Sequence, residues 1–195
     1  MRRVRICVVG LGTVGRWVLS ALDAQAETLA ARFGFVPIVV GVANARDGFV
    51  HRAEGLDLPT LLEVSVPWRS LVEHEDVVHF PNALDGLQAT EADLLVEVTA
   101  SPQSDGEPGF AHMQEALGRR IPVVTSNKWP VALHGVELTE LARHEGVAFR
   151  AESTVMSGTP VLSTLVEGLA GTTPTALRGI LNATANFVLT AMTNG

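Results

Sequence analysis

The stretch that decides the fold reads Val4-Arg5-Ile6-Cys7-Val8-Val9-Gly10-Leu11-Gly12-Thr13-Val14-Gly15. Its first half is a short apolar run, which is typical of a buried parallel strand. A helical pattern follows at once, with apolar residues at spacings of three and four between residues 14 and 29. The glycines therefore stand at a junction between a strand and a helix, where a turn that binds phosphate groups is expected.

The glycines of this turn have distinct physical roles. The first permits a tight turn, the second lets the backbone approach a pyrophosphate, and the third lets the helix pack closely on the strand. Free N–H groups and the dipole at the helix N-terminus attract the phosphate charge. The turn therefore predicts a dinucleotide site, and the alternative is a tight turn without a ligand. The predicted contacts are Gly10, Leu11, Gly12, Thr13, Val14 and Gly15.

Downstream of the turn, predicted strands alternate with predicted helices. Alternation of this kind indicates βαβ units. The sequence therefore predicts an α/β fold, a doubly wound parallel sheet of the Rossmann type, over residues 1–151. Apolar runs predict strands at residues 35–43, 94–99, 122–125 and 147–151, and helical spacings predict helices at 59–64, 68–75, 83–90, 109–117 and 131–144.

The composition of the sequence changes after Ser153. The stretch Ser157-Gly158-Thr159-Pro160 leads into a predicted helix at 161–170, and an apolar run at 177–181 predicts a strand. The beginning of another helix follows. We therefore place a boundary here and assign residues 152–195 to a second domain, which we expect to be incomplete.

Composition and charge exclude several classes of protein. Apolar residues make up 47% of the chain and charged residues 18%, which is ordinary for a soluble α/β protein. The formal net charge of -7 argues against a nucleic-acid partner, which requires a basic stripe. No apolar run approaches the roughly 18 residues of a membrane span, so no membrane partner is expected. The single cysteine, Cys7, cannot form an internal disulfide, and a cytoplasmic protein is expected.

The end of the second predicted strand bears on the type of dinucleotide. Sites for NAD usually carry Asp or Glu there, to hold the ribose hydroxyls. Here the sequence is Val42-Ala43-Asn44-Ala45-Arg46-Asp47, so Asn44 occupies the expected acidic position. Arg46 is close enough in sequence to meet a 2′-phosphate, which favours NADP over NAD. A solvated loop arginine is the alternative for Arg46.

The only lysine of the chain is Lys128, and the rest of its 14 lysine and arginine residues are arginines. A compact ammonium has properties that a planar guanidinium cannot imitate. A retained lysine therefore suggests a function, although an accidental surface lysine is equally open. We expect Lys128 to face the nicotinamide of the cofactor and to hold a substrate carboxylate or oxygen. Segments expected to meet it at the carboxyl edge of the sheet are residues 10–15, 99–101, 125–128 and 152–154.

A family resemblance rests on several stretches that occur in order along the chain. The glycine turn is generic, whereas the last three stretches are specific, and together they resemble homoserine dehydrogenases. That family interconverts L-homoserine and L-aspartate 4-semialdehyde with NAD or NADP, on the route to threonine and methionine. The stretches are Gly10 to Gly15, Val96-Glu97-Val98-Thr99, Gly106-Glu107-Pro108-Gly109, Val123-Val124-Thr125-Ser126-Asn127-Lys128, Glu152-Ser153-Thr154-Val155-Met156-Ser157-Gly158-Thr159-Pro160 and Gly179-Ile180-Leu181-Asn182-Ala183-Thr184-Ala185-Asn186-Phe187.

The resemblance implies roles for individual residues. Lys128 matches the active-site lysine, and Thr184 matches a substrate-binding position. Thr99 and Ala100 match cofactor contacts, and we add Ser126 and Lys128, at the next strand end, to the expected cofactor site. The small-molecule substrate is therefore expected to lie between Lys128 and Thr184.

The resemblance also implies a cation and a partner. Residues 152–195 correspond to the start of an α+β domain for substrate binding and dimerisation, so the full-length protein is expected to be a homodimer. Four positions match the surroundings of a monovalent cation such as Na⁺, bound largely through backbone carbonyls: Glu152, Val155, Ser157 and Thr159.

Two departures from the family pattern bear on activity. Ala183 and Ala185 stand where the family usually has a glycine and a threonine around Thr184. The Glu, the Asp and the second lysine of the family lie downstream of the segment that ends at Asn186. We therefore expect the 195 residues to be an incomplete fragment without activity of its own, or a degenerate relative.

Two alternative functions fit the sequence to different degrees. Aspartate-semialdehyde and glyceraldehyde-phosphate dehydrogenases share the domain plan, but both require a thiol nucleophile at the domain junction. The only thiol, Cys7, lies in the first predicted strand, which argues against them. A module of the same fold that senses or binds NADP without catalysis is the alternative that stays open.

Other conspicuous residues have plainer explanations. His112 and Glu115 lie on one helix without a third ligand, so a solvated helix face is expected rather than a metal site. Trp17 is expected in the core. Glu97 lies inside an apolar strand, where a buried carboxylate requires a partner, and its role is open between function and structure.

Overall fold

The sheet contains the five strands expected from residues 1–151 and two strands that were not predicted, Gly48–His51 and Val78–Phe80. The computed structural model describes residues 1–63 and 76–194, and the helix predicted at 68–75 lies outside them. The strands are β1 (Arg2–Val9), β2 (Phe35–Asn44), β3 (Gly48–His51), β4 (Val78–Phe80), β5 (Leu94–Glu97), β6 (Val123–Thr125) and β7 (Phe149–Arg150). The helices are α1 (Thr13–Ala24), α2 (Ala26–Phe33), α3 (Leu58–Leu62), α4 (Ala83–Ala89), α5 (Gly109–Gly118), α6 (Lys128–Glu145) and α7 (Ala183–Asn194).

The described strands form one sheet in the order β4-β3-β2-β1-β5-β6-β7. Strand β1 lies between β2 and β5 and is parallel to both, and β6 and β7 continue in the same direction. The doubly wound sheet predicted from the sequence is confirmed. It differs at one edge, where β3 is antiparallel to both of its neighbours, β2 and β4. The turn at residues 45–47, which joins β2 to β3, is too short for the crossover that a parallel neighbour requires.

Apolar side chains pack against both faces of the sheet. Successive residues of β1 alternate between them, so Cys7 and Val9 face one side and Ile6 and Val8 the other. The first side is covered by apolar residues of α4, α5 and α6. The second is covered by α1 and α3 through Leu19 and Leu61. This arrangement fixes the strand ends, and therefore the site, on a rigid core.

The first helix differs from the prediction in two ways. The helical pattern is interrupted at Gln25, which separates α1 from α2. Trp17, which was expected in the core, is 68% exposed, so that prediction is wrong. The buried residues of α1 are Gly15 and Leu19. Trp17 lies two residues from each, about 200° around the helix, and therefore points away from the sheet.

The second part of the chain has less regular structure than predicted. A 3₁₀ turn at Glu152–Thr154 and a π-helical turn at Thr164–Gly168 precede α7. Residues 177–181 were predicted to form a strand and do not; their backbone has no neighbouring strand with which to pair. Among the residues that the structure describes, no helix is both long and apolar enough to cross a membrane. The division into domains at residue 151 stays a prediction.

Candidate functional site

The glycine turn joins β1 to α1, and two of its glycines are required by geometry. Gly10 has φ +107°, and a Cβ there would lie 2.6 Å from the carbonyl carbon of Val98. A Cβ on Gly15 would lie 2.0 Å from the carbonyl oxygen of Gly10. Both separations are far below van der Waals contact. The first and third glycines therefore let the chain turn sharply and let α1 approach the end of the sheet.

Gly12 has a different environment. A Cβ built on it meets no atom within 4 Å, so the space beside it is open. It is the N-cap residue of α1, whose first turn contains no acidic side chain. The positive end of the helix dipole is therefore not compensated within its first turn. An anion such as a pyrophosphate fits this position, because the backbone can be approached where a side chain is missing.

The turn opens into a cavity of about 630 Å³. This volume lies within the range of small-molecule sites, roughly 300–1,000 Å³. The cavity lies at the carboxyl end of β1, β2 and β5, and the first residues of α4 and α5 complete its wall. Its lining residues are Val9, Gly10, Leu11, Gly12, Ala43, Asn44, Ala45, Pro81, Asn82, Ala83, Leu84, Val98, Thr99, Ala100, Pro108, Ala111 and His112.

The end of β2 is a compact hydrogen-bonded turn. The side-chain oxygen of Asn44 accepts the backbone N–H groups of Arg46 and Asp47 at 2.8 and 2.7 Å. Its side-chain nitrogen donates to Asp47 Oδ2 at 2.8 Å. Asn44 lines the cavity, whereas Arg46 is exposed and does not. The Arg46 guanidinium forms no hydrogen bond or ion pair with the described part of the chain and is available to an external anion.

A buried polar network joins the ends of β5 and β6. Asn127 Nδ2 lies 3.1 Å from Glu97 Oε2, 3.1 Å from Thr99 Oγ1 and 2.8 Å from Ser101 Oγ. Thr99 donates its hydroxyl and its N–H to Glu97. Asn127 N–H donates to Thr125 Oγ1 at 3.0 Å. Glu97, whose role was open, therefore has the partners that a buried carboxylate requires.

Lys128 follows this network and begins α6. Its side chain is exposed and forms no hydrogen bond or ion pair with the residues the structure describes. Ser126 is half-buried and is not part of the cavity wall. Thr184 is exposed on α7. The structure thus brings Thr99 close to Asn127, the neighbour of Lys128, and shows no contact between Lys128 and Thr184.

His112 departs from its expected position. It was assigned to a solvated helix face, but it is 4% exposed and lines the cavity, so that prediction is wrong. Its Nδ1 lies 3.6 Å from Glu97 Oε1. The reason is the register of α5. Met113 and Ala116 face the core, and His112 lies on the same buried face of the helix. No cluster of three or more His, Cys, Asp or Glu suited to a metal occurs among the described residues.

Glu152 uses its carboxylate within the chain. Oε1 accepts the N–H of Leu162 at 2.9 Å, and Oε2 accepts the N–H of Ser163 at 2.7 Å. Desolvation raises the pKa of the Glu152 carboxyl, but these hydrogen bonds outweigh it, and the net shift is downward. Met156 and Ser157 have φ of 54°, so the chain around Val155 and Thr159 runs through tight turns. Whether a cation binds there stays a prediction.

Two further groups bear on the site. Burial raises the pKa of the Cys7 thiol to about 12, which disfavours the thiolate that acyl-enzyme chemistry requires. Arg16, one residue after the last glycine of the turn, was not singled out from the sequence. Its Nη1 is buried and has no hydrogen-bond partner among the described residues. A cation directly after the glycine turn was the signal that could have identified it.

Comparison with known proteins agrees with this geometry. The sequence model described as the NAD-binding domain of homoserine dehydrogenase matches residues 10–152. A NAD(+)-dependent homoserine dehydrogenase of Pseudomonas canavaninivorans is 36% identical over 200 residues, which is 100% of this chain and 55% of that protein. A homoserine dehydrogenase of Methanocaldococcus jannaschii is 32% identical over 187 residues, 96% of this chain and 55% of that protein.

Solved structures give the same result. A hyperthermophilic archaeal homoserine dehydrogenase mutant in complex with NADPH has a TM-score of 0.66 and 32% identity, with 87% of this chain and 50% of that chain covered. A homoserine dehydrogenase from Thiobacillus denitrificans has a TM-score of 0.69 and 30% identity, with 100% and 39% covered. The chain spans about half the length of the curated relatives it matches. Because the family model matches more than half of the chain, the chain belongs to the family of homoserine dehydrogenase NAD-binding domains.

Proposed function

We propose that this chain is the dinucleotide-binding part of a homoserine dehydrogenase, which interconverts L-homoserine and L-aspartate 4-semialdehyde in threonine and methionine biosynthesis. The observation that carries the proposal is the glycine turn, whose open face at Gly12 borders a cavity of about 630 Å³ at the carboxyl edge of the sheet. Its relatives in Pseudomonas canavaninivorans and Methanocaldococcus jannaschii are homoserine dehydrogenases, which supports this reaction.

The cofactor would be held by residues from three strand ends. The N–H groups of residues 10–15 would hold the pyrophosphate, with Arg16 as a neighbouring cation. Thr99 and Ala100 would line the cofactor, and Ser126 and Lys128 would lie toward the nicotinamide. Asn44 and Arg46 would meet the adenosine ribose, and the unpaired guanidinium of Arg46 favours NADP over NAD. When bound, the nicotinamide supplies the hydride acceptor or donor of the reaction.

The substrate would be held by Lys128 and Thr184. The Lys128 ammonium is exposed at the start of α6 and free to bind a carboxylate or hydroxyl oxygen. Oxidation of homoserine also requires a base that takes the hydroxyl proton. No described carboxylate, histidine or other base contacts Lys128, so we expect the 195 residues alone to be inactive with homoserine.

Three further features belong to the proposal for the full translated product. We propose that it is a homodimer that acts in the cytoplasm, without a nucleic-acid or membrane partner. We also propose that Glu152, Val155, Ser157 and Thr159 surround a monovalent cation such as Na⁺. Thermal denaturation in NaCl and in choline chloride at equal ionic strength tests the cation, and light scattering tests the dimer.

The main experiment combines binding with turnover. Calorimetric titration of the 195-residue chain with NADP and NAD is expected to show binding, with NADP the tighter ligand. Homoserine-dependent reduction of either cofactor is expected for the full translated product of the gene and not for the 195 residues. Absence of binding by both would contradict the cofactor site, and full turnover by the 195 residues would show that they contain the proton acceptor.

A second candidate function is a module that binds NADP without catalysis. The observation that favours it is that the exposed side chain of Lys128 forms no hydrogen bond or ion pair with a described residue. The same assay separates the two functions. A full translated product that binds NADP and shows no turnover with homoserine supports the second candidate.

A further inference from the structure

His112 lies in the wall of the cavity with a polar atom that is not satisfied. The side chain is 4% exposed, and its Nδ1 is buried without a hydrogen-bond partner among the described residues. An imidazole always carries at least one N–H donor. A buried polar atom without a partner destabilises the protein unless another group completes its surroundings. The polar group nearest to Nδ1 therefore decides how the imidazole is oriented in the cavity wall.

Glu97 faces this imidazole from β5. Its carboxylate is completely buried, and Oε1 lies 3.6 Å from His112 Nδ1, just beyond hydrogen-bond distance. The other contacts of the carboxylate come from Thr99 and Asn127. An ionised carboxylate only accepts hydrogen bonds, so it favours the tautomer with the hydrogen on Nδ1. The other ring nitrogen, Nε2, is then the acceptor in the neutral ring.

We infer that His112 is a further cofactor-binding residue, oriented by Glu97, which offers Nε2 to the adenosine half of the dinucleotide. This inference rests on the proposed cofactor site. The cavity extends from the glycine turn to Asn44, and the end of the second strand is where the adenosine ribose of a dinucleotide lies. A carboxylate behind a histidine fixes the tautomer and the ring orientation, as it does behind histidines that bind metals.

The proposal assigns opposite roles to the two ring nitrogens. Asparagine places its amide near the position of Nδ1, which faces Glu97, and glutamine places its amide near the position of Nε2. If Nε2 contacts the ligand, His112→Gln retains the contact and His112→Asn loses it. If His112 only fills space and faces Glu97, His112→Asn is the better replacement. The order of the two affinities therefore separates binding from packing.

The experiment titrates the wild-type chain and both variants with AMP and with NADP by calorimetry, with thermal denaturation of each variant as a check on folding. We expect His112→Gln to stay near the wild-type affinity and His112→Asn to bind about tenfold more weakly, the scale of one hydrogen bond to a ligand. AMP and NADP should weaken by the same factor, because the contact lies in the half that they share.

Three outcomes overturn the inference. Equal affinities of the two variants, or the reverse order, show that Nε2 does not contact the ligand. A loss with NADP that is absent with AMP places the contact on the 2′-phosphate or the nicotinamide half, outside the adenosine 5′-phosphate that the two ligands share. Failure of the wild-type chain to bind either ligand overturns the proposed cofactor site and this inference with it, whereas wild-type binding with unchanged variants overturns the inference alone.

Discussion

The two sides of the carboxyl edge of the sheet are built differently. The nucleotide side comprises the glycine turn, the end of β2 and the cavity between them, and the lysine side comprises residues 125–128 with Thr184. On the nucleotide side, the backbone is packed so closely that a Cβ at Gly10 or Gly15 would overlap the carbonyl groups beside it. On the lysine side, Lys128 and Thr184 are exposed, and no hydrogen bond joins their side chains. The shape of the nucleotide side is therefore fixed by the packing of its own backbone. The chemistry of the lysine side depends on a base that none of the described residues supplies beside Lys128.

The largest expected effect tests the backbone of the nucleotide side. In Gly15→Ala the new methyl group would lie 2.0 Å from the carbonyl oxygen of Gly10, which cannot move like a flexible side chain. We expect a loss of about 3 kcal/mol in the free energy of unfolding, at the upper end for overpacking, and loss of NADP binding. Denaturation and calorimetric titration measure the two effects.

Gly12→Ala is the matched control in the same turn. Its methyl group meets no atom within 4 Å, so the stability should stay near that of the wild type. NADP affinity should fall at least about tenfold, because the methyl occupies the space through which a pyrophosphate approaches the backbone. Wild-type affinity in Gly12→Ala would show that the pyrophosphate does not lie over this glycine.

The second prediction concerns the lysine side. Lys128→Arg keeps the positive charge but replaces a compact ammonium by a planar group with a different reach. We expect the full translated product to lose roughly a hundredfold in homoserine turnover, as when one well-placed catalytic interaction is removed. NADP affinity should change much less, because the pyrophosphate contacts lie on the other side. Turnover equal to that of the wild type would make Lys128 an ordinary surface residue.

The same contrast explains what could be predicted from the sequence. The glycine turn depends on local spacing, because it is specified within one strand, turn and helix. The parallel order around β1 follows from the alternation of strands and helices along the chain. The tight turn at Gly10 and the close packing at Gly15 were predicted, and the structure shows both, whereas contact of this turn with a cofactor stays a prediction. Lys128 and Thr184 were assigned by family resemblance, and their roles stay predictions.

The errors concern contacts between residues that are distant in the sequence. His112 was placed on a solvated face because helical spacing alone does not show that Glu97, on β5, faces it. Trp17 was placed in the core because a large apolar side chain on an amphipathic helix favours burial, yet the register of α1 turns it outward. The strand predicted at 177–181 requires a pairing partner that periodicity does not reveal.

The third prediction concerns Arg46, in the exposed turn after β2 on the nucleotide side. Arg46→Gln removes an exposed guanidinium that forms no hydrogen bond or ion pair with a described residue, so the stability should not change. NADP affinity should fall about tenfold through loss of a charge-assisted hydrogen bond to the 2′-phosphate, and NAD affinity should stay constant. Arg32→Gln, an exposed arginine on α2 away from the cavity, is the matched control. An equal loss for NAD and NADP would exclude contact with the 2′-phosphate.

The smallest expected effect lies beyond the sheet, at Glu152. Its folded-state pKa is below the ordinary 4.5 because the ionised carboxylate accepts the N–H groups of Leu162 and Ser163. The ionised form is therefore favoured by folding, and its contribution is fully present above pH 4.5 and lost as the pH falls through the lowered pKa. Glu152→Gln keeps one carbonyl acceptor but cannot ionise. The Tm of the wild type should exceed that of the variant slightly at pH 7, and the difference should vanish in acid. A difference in Tm that is constant from pH 7 to pH 3 would show that the charge of this carboxylate does not stabilise the turn at 161–163.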